Sequence, residues 1–256
     1  MYQRDYLMRQ IEQAARALAA IMKKALGGEP DQALVMFDQV YQPLLGVSAR
    51  VVSTLTDEQL ISLLTSGSMP DLRRVASVLE AVKSEADVHA QAGNQQAAAS
   101  RYRRALSLAG YLASRSEDLL DTGLAGDVME RTSGTALNAN QRLALARVLE
   151  SLGRYADAED TLFEAIEDLP ADTGLVDAGI ACYQRLLALQ DADLETGGLP
   201  RDEVRAGLAE LLRRQVPDED PGAWPEDRPG WPDEDPGAWP EGPGEDPGTM
   251  PGRQPS

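Results

Sequence analysis

Cysteine and histidine are almost absent from this chain of 256 residues, which has one of each, Cys182 and His89. One cysteine cannot form an intramolecular disulfide or a cysteine-cluster metal site, and it suits a reducing compartment. We therefore expect a cytoplasmic protein without a structural metal, in which Cys182 is a small buried side chain. His89 has no partners at a spacing that indicates a catalytic base or a metal ligand, so we expect an ordinary packing or solvated role for it.

Basic residues are outnumbered, and long apolar runs are lacking. The chain holds 24 Lys and Arg against 42 Asp and Glu, for a formal net charge of −18. This balance argues against nucleic acid as a partner, because phosphate contacts require clustered Lys and Arg. No stretch approaches the roughly eighteen apolar residues of a membrane span, and Arg4, Asp5, Arg9 and Glu12 interrupt the place of a secretory signal. We expect a soluble protein.

Aromatic residues make up only 5% of the chain, and all three tryptophans, Trp224, Trp231 and Trp239, lie near its end. Residues 216–256 also hold 11 of the 16 prolines, with eleven acidic against two basic residues. The unit P-D-E-D-P-G-A-W-P-E occurs there twice. We predict a disordered acidic tail, because no helix or strand survives this proline density. Its tryptophans are candidate ligands for a groove; the alternative is a solubilising segment or linker.

Residues 1–215 show the apolar periodicity of α-helices, with apolar residues at steps of three and four and no alternating runs typical of strands. Such a stripe in the first helix consists of Leu7, Ile11, Ala14, Leu18, Ile21 and Ala25. We expect this stripe to pack inside the domain. Alternatively, Leu7, Ile11, Leu18 and Ile21 form a self-association seam, because a terminal helix of a repeat array has one unpaired side. Thr56 with Gln59 predicts a capping box at the start of a later helix.

A glycine followed by a small, a large and a second small or β-branched residue occurs three times. The sets are Gly28, Ala33, Phe37, Val40; Gly93, Ala98, Tyr102, Ala105; and Gly153, Ala158, Leu162, Ala165. In a helix the last three residues of each set share one face. The pattern therefore predicts helix hairpins, in which glycine allows the turn and the small residues let two helices cross closely around the large side chain.

This pattern resembles the second helix of the tetratricopeptide repeat. The segment from Leu145 to Pro170 matches well, including Tyr155 and Pro170; the segment that begins at Gly93 matches the second half, and Gly28 to Val40 is a weaker match. Successive glycines of the three sets are 65 and 60 residues apart, each close to two repeats of about 34 residues. The resemblance implies an all-α array of helix hairpins, an α-solenoid, over residues 1–215, with further helix pairs within residues 48–79 and 113–138.

A second resemblance rests on stretches spread along the chain. They are D-Y-L-M-R-Q-I-E-Q near the start, A-G-N-Q-Q-A-A-A in the middle and D-A-D-L-E-T-G-G-L-P-R-D-E-V late in the sequence. These stretches look like those of a bacterial family of helical proteins of unknown function with repeat-like helices. The resemblance implies a fold, but it brings no activity and no catalytic residue.

Tetratricopeptide arrays bind peptides or helices in a groove that is lined by the first helices of successive pairs. By that resemblance the groove candidates are Lys83 and Asp87 on one first helix, and Asn140, Leu143 and Arg147 on the next. The alternative is that all five are ordinary solvated helix residues. Asp87 and Arg147 stand where some family members use asparagine to clamp a C-terminal carboxylate, so the resemblance does not imply that ligand.

The sequence contains no catalytic, metal-binding or phosphate-binding motif. We therefore expect a cytoplasmic, non-enzymatic scaffold or adaptor that binds a protein or peptide and uses no cofactor. One alternative is a regulator whose oligomeric state changes when a ligand or peptide binds. A further alternative is an enzyme with an unrecognised carboxylate site.

Overall fold

A computed structural model of the chain describes residues 2–65, 71–116 and 119–215, and every regular element in these ranges is a helix. The α-helices are α1 Tyr2–Leu26, α2 Pro30–Val35, α3 Asp38–Leu45, α4 Ala49–Thr54, α5 Asp57–Thr65, α6 Leu72–Gln91, α7 Gln95–Ala113, α8 Thr122–Thr132, α9 Ala139–Ser151, α10 Tyr155–Asp168, α11 Thr173–Leu187, α12 Asp191–Thr196 and α13 Arg201–Gln215. The prediction of an all-α protein is confirmed. The predicted tail, with Trp224, Trp231 and Trp239, lies outside the described residues. None of the helices in these ranges is long and apolar enough to span a bilayer.

The apolar stripe of α1 packs against α2, α3 and α6. Ala14, Leu18, Ile21 and Ala25 are buried there. The expectation that this stripe packs inside the domain is therefore confirmed. Leu18 and Ile21 are already covered within the chain, so they are not accessible for the alternative self-association seam.

Glycines in the left-handed region form the turns that the sequence predicts. Gly28, Gly93 and Gly153 have φ values of +87°, +78° and +72°, which glycine adopts readily because it lacks a Cβ. They connect α1 to α2, α6 to α7 and α9 to α10, and the two helices in each pair pack on each other. The prediction that these glycines form helix hairpins is confirmed.

The small and large residues that follow the second and third glycines are buried on single helices, as predicted. They are Ala98, Tyr102 and Ala105 on α7, and Ala158, Leu162 and Ala165 on α10.

The first set does not lie on one helix, because the helical pattern is interrupted at Met36 and Phe37, between α2 and α3. The N–H groups of Met36 and Phe37 donate to the carbonyls of Ala33 and Leu34, three residues earlier, at 3.0 and 3.3 Å. These short turns tighten the chain, and Phe37 remains fully buried. The expectation of one helical face through this set is wrong, although its apolar residues do reach the core.

The segment 113–138 differs from the helix pair that the repeat spacing predicts. Among its described residues the one α-helix is α8, which packs on α7 and is joined to α6 by an ion pair between Asp127 and Lys83. Because one helix rather than two separates α7 from α9, the chain reverses twice between them. α7 and α9 therefore run in the same direction.

Contacts along α7 and α9 establish this direction. Ser107 of α7 and Gln141 of α9 both donate to the carboxylate of Asp57, at 2.6 and 3.4 Å. One turn further on, a Cβ added to Gly110 of α7 would lie 2.5 Å from Ala144 of α9. Residues of increasing number on α7 therefore meet residues of increasing number on α9, with their backbones in close contact at Gly110.

Apart from the short helix α12, the helices from α6 to α13 belong alternately to two groups, which we call rows. α7, α9 and α11 form what we call the first row, in which α7 packs on α9 and Glu150 of α9 binds Arg185 of α11. α6, α8, α10 and α13 form the second row, in which α6 is ion-paired to α8, while α8 and α10 share one cleft and α10 and α13 another. Residues on α6 and α9 therefore belong to different rows.

The described part of the segment just before α6 contains two short helices, α4 and α5. The described residues of segment 48–79 hold α4, α5 and the start of α6. The predicted capping box is confirmed, since the Thr56 hydroxyl accepts from the Gln59 N–H and the Gln59 side chain accepts from the Thr56 N–H. Arg104 of α7 donates to the carbonyl of Val52 at 2.6 Å and to Asp57 at 3.2 Å. This buried guanidinium satisfies carbonyl and carboxylate groups at the α4 to α5 turn.

Candidate functional site

Lys83 and Asp87 lie on one face of α6 and are engaged within the chain. Lys83 Nζ is 3.0 Å from Asp87 Oδ2 and 2.6 Å from Asp127 Oδ2 of α8, and the Tyr102 hydroxyl donates to Asp87 Oδ1 at 2.6 Å. The two side chains are only 17% and 16% exposed. Burial alone would lower the pKa of Lys83, but the two carboxylates outweigh burial and raise that pKa. The charge of Lys83 is thus satisfied by α6 and α8.

Asn140, Leu143 and Arg147 lie on one face of α9, at steps of three and four. Asn140 is exposed, whereas Leu143 and Arg147 are half-buried. Leu143 packs against the apolar core that α9 shares with α10, α11 and α13. The structure does not place this trio on one surface with Lys83 and Asp87, because α9 is in the first row and α6 is in the second.

Arg147 carries a half-buried charge without a partner among the described residues. It forms no hydrogen bond and no ion pair with them. Burial is the main cause of a lowered pKa for its guanidinium, the charges of Arg185 and Arg115 lower it further, and Glu150 opposes them. A cation that is partly removed from water and lies among like charges is unfavourable until an anion compensates it.

Two further arginines surround Arg147, and sequence reasoning did not single them out. Arg185 lies on the last turn of α11, and Arg115 follows the end of α7. Arg185 is held by Glu150 through two hydrogen bonds of 2.7 Å, from Nε to Oε1 and from Nη2 to Oε2. We call Arg115, Arg147, Arg185 and Glu150 the arginine cluster. Among the described residues, its three cations and one anion sum to two positive charges, in a chain whose net charge is −18.

The position of the arginine cluster follows from the first row. Arg115 and Arg185 lie at the carboxyl ends of α7 and α11. The partial negative charge at a helix carboxyl end favours cations. Because α7 and α9 run in the same direction and Glu150 near the end of α9 meets Arg185 near the end of α11, the three ends converge. Sequence spacing could not identify the cluster, since its members come from three separate helices.

Cys182 is a buried side chain beside this cluster, as predicted. Its thiol donates to Glu150 Oε2 at 3.4 Å. Burial, followed by the charge of Glu150, raises the pKa of the thiol to about 12. A thiol with so high a pKa carries almost no thiolate at neutral pH, so it is a poor nucleophile.

His89 has an acidic neighbour that sequence reasoning missed. Its Nε2 lies 3.8 Å from Glu85 Oε1, one turn back on α6. Glu85 is only 5% exposed, accepts a 2.6 Å hydrogen bond from the Tyr41 hydroxyl and has Arg101 Nε 3.1 Å from its Oε1. A signal was present in the sequence, because Glu85 lies at helical spacing from Val78 and Val82 on the apolar face of α6.

The cluster around Glu85 joins α3, α6 and α7. Burial alone would raise the pKa of the carboxyl, but the contacts with His89, Arg101 and Tyr41 together outweigh burial and lower it. Burial and the neighbouring Glu85 raise the pKa of the Tyr41 phenol well above its usual value. Tyr41 is fully buried, and its neutral hydroxyl donates to the ionised Glu85, so these contacts hold three helices together inside the core.

A cleft of about 630 Å³ lies between α8, α9 and α10. Both arginines in its wall are paired with carboxylates. Arg142 pairs with Glu164 and Asp168, and Arg154 donates to Asp157 at 2.7 Å. Within the part of the chain that the structure describes, no group of three or more His, Cys, Asp or Glu residues is arranged to hold a metal ion.

Fold and side-chain geometry together define an all-α protein with two rows of packed helices. The chain belongs to DUF6483, a family of unknown function whose model matches residues 1–216. The expectation that the chain is a member of an uncharacterised family is thus confirmed. No curated protein and no solved structure matches the chain.

Proposed function

We propose that the chain is a cytoplasmic, non-enzymatic scaffold of tetratricopeptide-like helix pairs, which binds a peptide segment of another protein along the first row. The helix hairpins support this proposal, since α6 with α7 and α9 with α10 are turned by left-handed glycines and packed through buried small residues. Arrays of stacked helices present extended surfaces that suit elongated ligands. The resemblance to tetratricopeptide repeats implies that such a surface binds peptides.

The observation that carries the proposal is the face of α9 with Asn140, Leu143 and Arg147. After all packing within the chain, this face still presents an exposed amide, a half-buried apolar side chain and a half-buried guanidinium without a partner. A surface that binds a peptide typically combines apolar side chains, which contribute affinity, with polar groups, which orient the peptide. α7 and α11 flank this face, so a peptide that lies across the first row would meet side chains from three helices.

Photo-crosslinking from the face of α9 tests the scaffold function. A photoreactive amino acid replaces Asn140 in the full chain, and the control carries it at Glu167, which is exposed on α10 in the second row. In a lysate of the source cells, we expect a discrete protein adduct from position 140 that is absent from position 167. The same adducts from both positions, or no adduct from position 140, would contradict the proposal.

The alternative of a ligand-responsive regulator is supported by the cleft between α8, α9 and α10. Its volume of about 630 Å³ falls in the range of small-molecule sites, about 300 to 1,000 Å³. A small molecule that raises the melting temperature of the full chain and changes its oligomeric state, without any protein partner, would favour this function. Arg154→Ala, in the cleft wall, should then remove the effect, whereas crosslinking from position 140 would be unaffected.

A further inference from the structure

We propose that the arginine cluster is an anion-binding site that takes the carboxylate side chains of an acidic peptide, with Arg147 and Arg115 as its hydrogen-bond donors. The inference rests on the scaffold function proposed above and specifies the chemistry of the partner. Nucleic acid is the competing polyanion.

Arg147 is the centre of this site. Its guanidinium is half-buried and donates to none of the described residues, whereas the neighbouring Arg185 is held by Glu150 through two hydrogen bonds of 2.7 Å. Glu150 directs both carboxylate oxygens to Arg185, and one of them also accepts from the Cys182 thiol. The carboxylate of Glu150 is thus already engaged, and the donors of Arg147 need acceptors from outside this cluster.

Arg115 supplies the second donor. It is exposed just beyond α7, its guanidinium lies 5.6 Å from the centre of the Tyr111 ring, and its charge acts on Arg147. Stacking on an aromatic ring steadies a guanidinium but leaves its N–H groups free to donate. Arg115 and Arg147 lie near the converging ends of α7 and α9, and each planar guanidinium can bind one carboxylate of a short segment in a bidentate manner.

Charge on two scales favours an acidic peptide over nucleic acid. The described residues of the arginine cluster sum to two positive charges, which attract a pair of carboxylates at close range. At longer range, the net charge of −18 repels a polyanion such as DNA or RNA, whose binding depends on many phosphate contacts. A short peptide with a few carboxylates is attracted by the arginine cluster and is repelled less than a long polyanion by the net negative charge of the chain.

The test uses the full chain and an array of fluorescein-labelled peptides that carry pairs of Glu at varied spacing, each with a twin in which Gln replaces Glu. Fluorescence anisotropy measures the affinities. We expect at least one acidic peptide to bind about ten-fold or more tightly than its Gln twin, since a hydrogen bond to a charged group contributes about that factor. Arg147→Gln and Arg115→Gln should each remove most of this preference, whereas Arg50→Gln, which removes an exposed charge on α4, should not.

Several outcomes would overturn the anion site. The first is that every Glu peptide binds as tightly as its Gln twin. The second is that Arg50→Gln and Arg147→Gln lose the same affinity. The third is that a single-stranded oligonucleotide displaces the labelled peptide at a lower concentration than unlabelled peptide does. Folding is checked separately by the melting temperature of Arg147→Gln at low salt. It should equal or exceed that of the wild type, because the substitution removes an uncompensated charge, and a clear decrease would show that Arg147 has a structural partner and would contradict the site.

Failure of this inference is distinguishable from failure of the scaffold function. A partner that crosslinks from position 140 with equal yield in the Arg147→Gln background would support the scaffold function and contradict the anion site. Acidic peptides that bind through Arg147, together with no adduct from position 140, would support the anion site and contradict the scaffold function.

Discussion

Glu85 shows how much one buried carboxylate contributes to this fold. Its partner Tyr41 is fully buried on α3 and donates a 2.6 Å hydrogen bond to it. Tyr41→Phe should lower the free energy of unfolding by about 1 to 3 kcal/mol, because it removes a hydrogen bond to a charged group inside the core. Urea denaturation measures this change, and Tyr6→Phe on the exposed surface of α1 is the control. Equal stability of the two variants would show that the Tyr41 hydroxyl contributes nothing.

The same residue governs part of the stability at acid pH. The pKa of Glu85 is lower in the folded chain than its usual value of 4.5, so the ionised carboxylate stabilises the fold at pH values above 4.5. This contribution is lost as the pH falls through the folded-state pKa. Glu85→Gln should therefore be less stable than the wild type at neutral pH, and the difference should shrink on acidification. A difference that is constant with pH would contradict this assignment.

Cys182 gives a chemical measure of burial at the residue scale. Because its pKa is raised to about 12 by burial and by Glu150, the folded chain should react with iodoacetamide far more slowly than a free thiol does. Mass spectrometry should show one alkylation in denaturant and almost none under native conditions. Rapid labelling of the native chain would show that Cys182 opens to solvent or that its thiolate is stabilised.

At the scale of elements, two helical glycines distinguish close packing from helix propensity. A Cβ at Gly110 on α7 would lie 2.5 Å from Ala144 on α9, whereas a Cβ at Gly126 on α8 meets nothing within 4 Å. Gly110→Ala should destabilise the fold by about 1 to 3 kcal/mol through overpacking. Gly126→Ala should stabilise it by up to about 1 kcal/mol, because alanine favours a helix.

Thermal unfolding of the two variants compares these glycines directly. The melting temperature of Gly110→Ala should fall and that of Gly126→Ala should rise. If Gly110→Ala were as stable as Gly126→Ala, the close contact between α7 and α9 would be contradicted. The placement of these two helices in one row would then lose its main support.

Local features of the elements could be predicted from the sequence because they depend on neighbouring residues. The α1 stripe, the Thr56 capping box and the turns at Gly93 and Gly153 are of this kind. The break at Met36 and Phe37 carries no glycine or proline to indicate it. The single helix α8 was missed because a repeat period indicates a length of chain, and the same length holds either two helices or one helix with longer connections.

At the scale of the whole molecule, the single helix α8 changes which residues face the same side. The resemblance indicates α6 and α9 as equivalent first helices, which would require an odd number of helices between them. The described residues hold two, α7 and α8. α6 and α8 are joined in the second row by Lys83 and Asp127. The candidate residues on α6 are therefore separated from Asn140 and Arg147, which meet side chains of α7 and α11 instead.

The site could be predicted only in part from the sequence. Arg147 was identified through its position in a repeat-like helix, whereas Arg115 and Arg185 approach it through tertiary packing of α7 and α11. Such packing depends on long-range contacts and on the order of helices in the two rows. No spacing along the chain encodes it.

The measurement that tests the account most directly is quantitative affinity capture from a lysate of the source cells with the full chain. Four baits are compared: the wild type, Arg147→Glu, the charge-matched control Arg50→Glu, and a variant with Trp224, Trp231 and Trp239 changed to Ala. The account predicts a partner that is retained by the control and by the tryptophan variant and lost from Arg147→Glu. A partner that is retained by Arg147→Glu and lost from the tryptophan variant would make the tail the ligand and contradict the account.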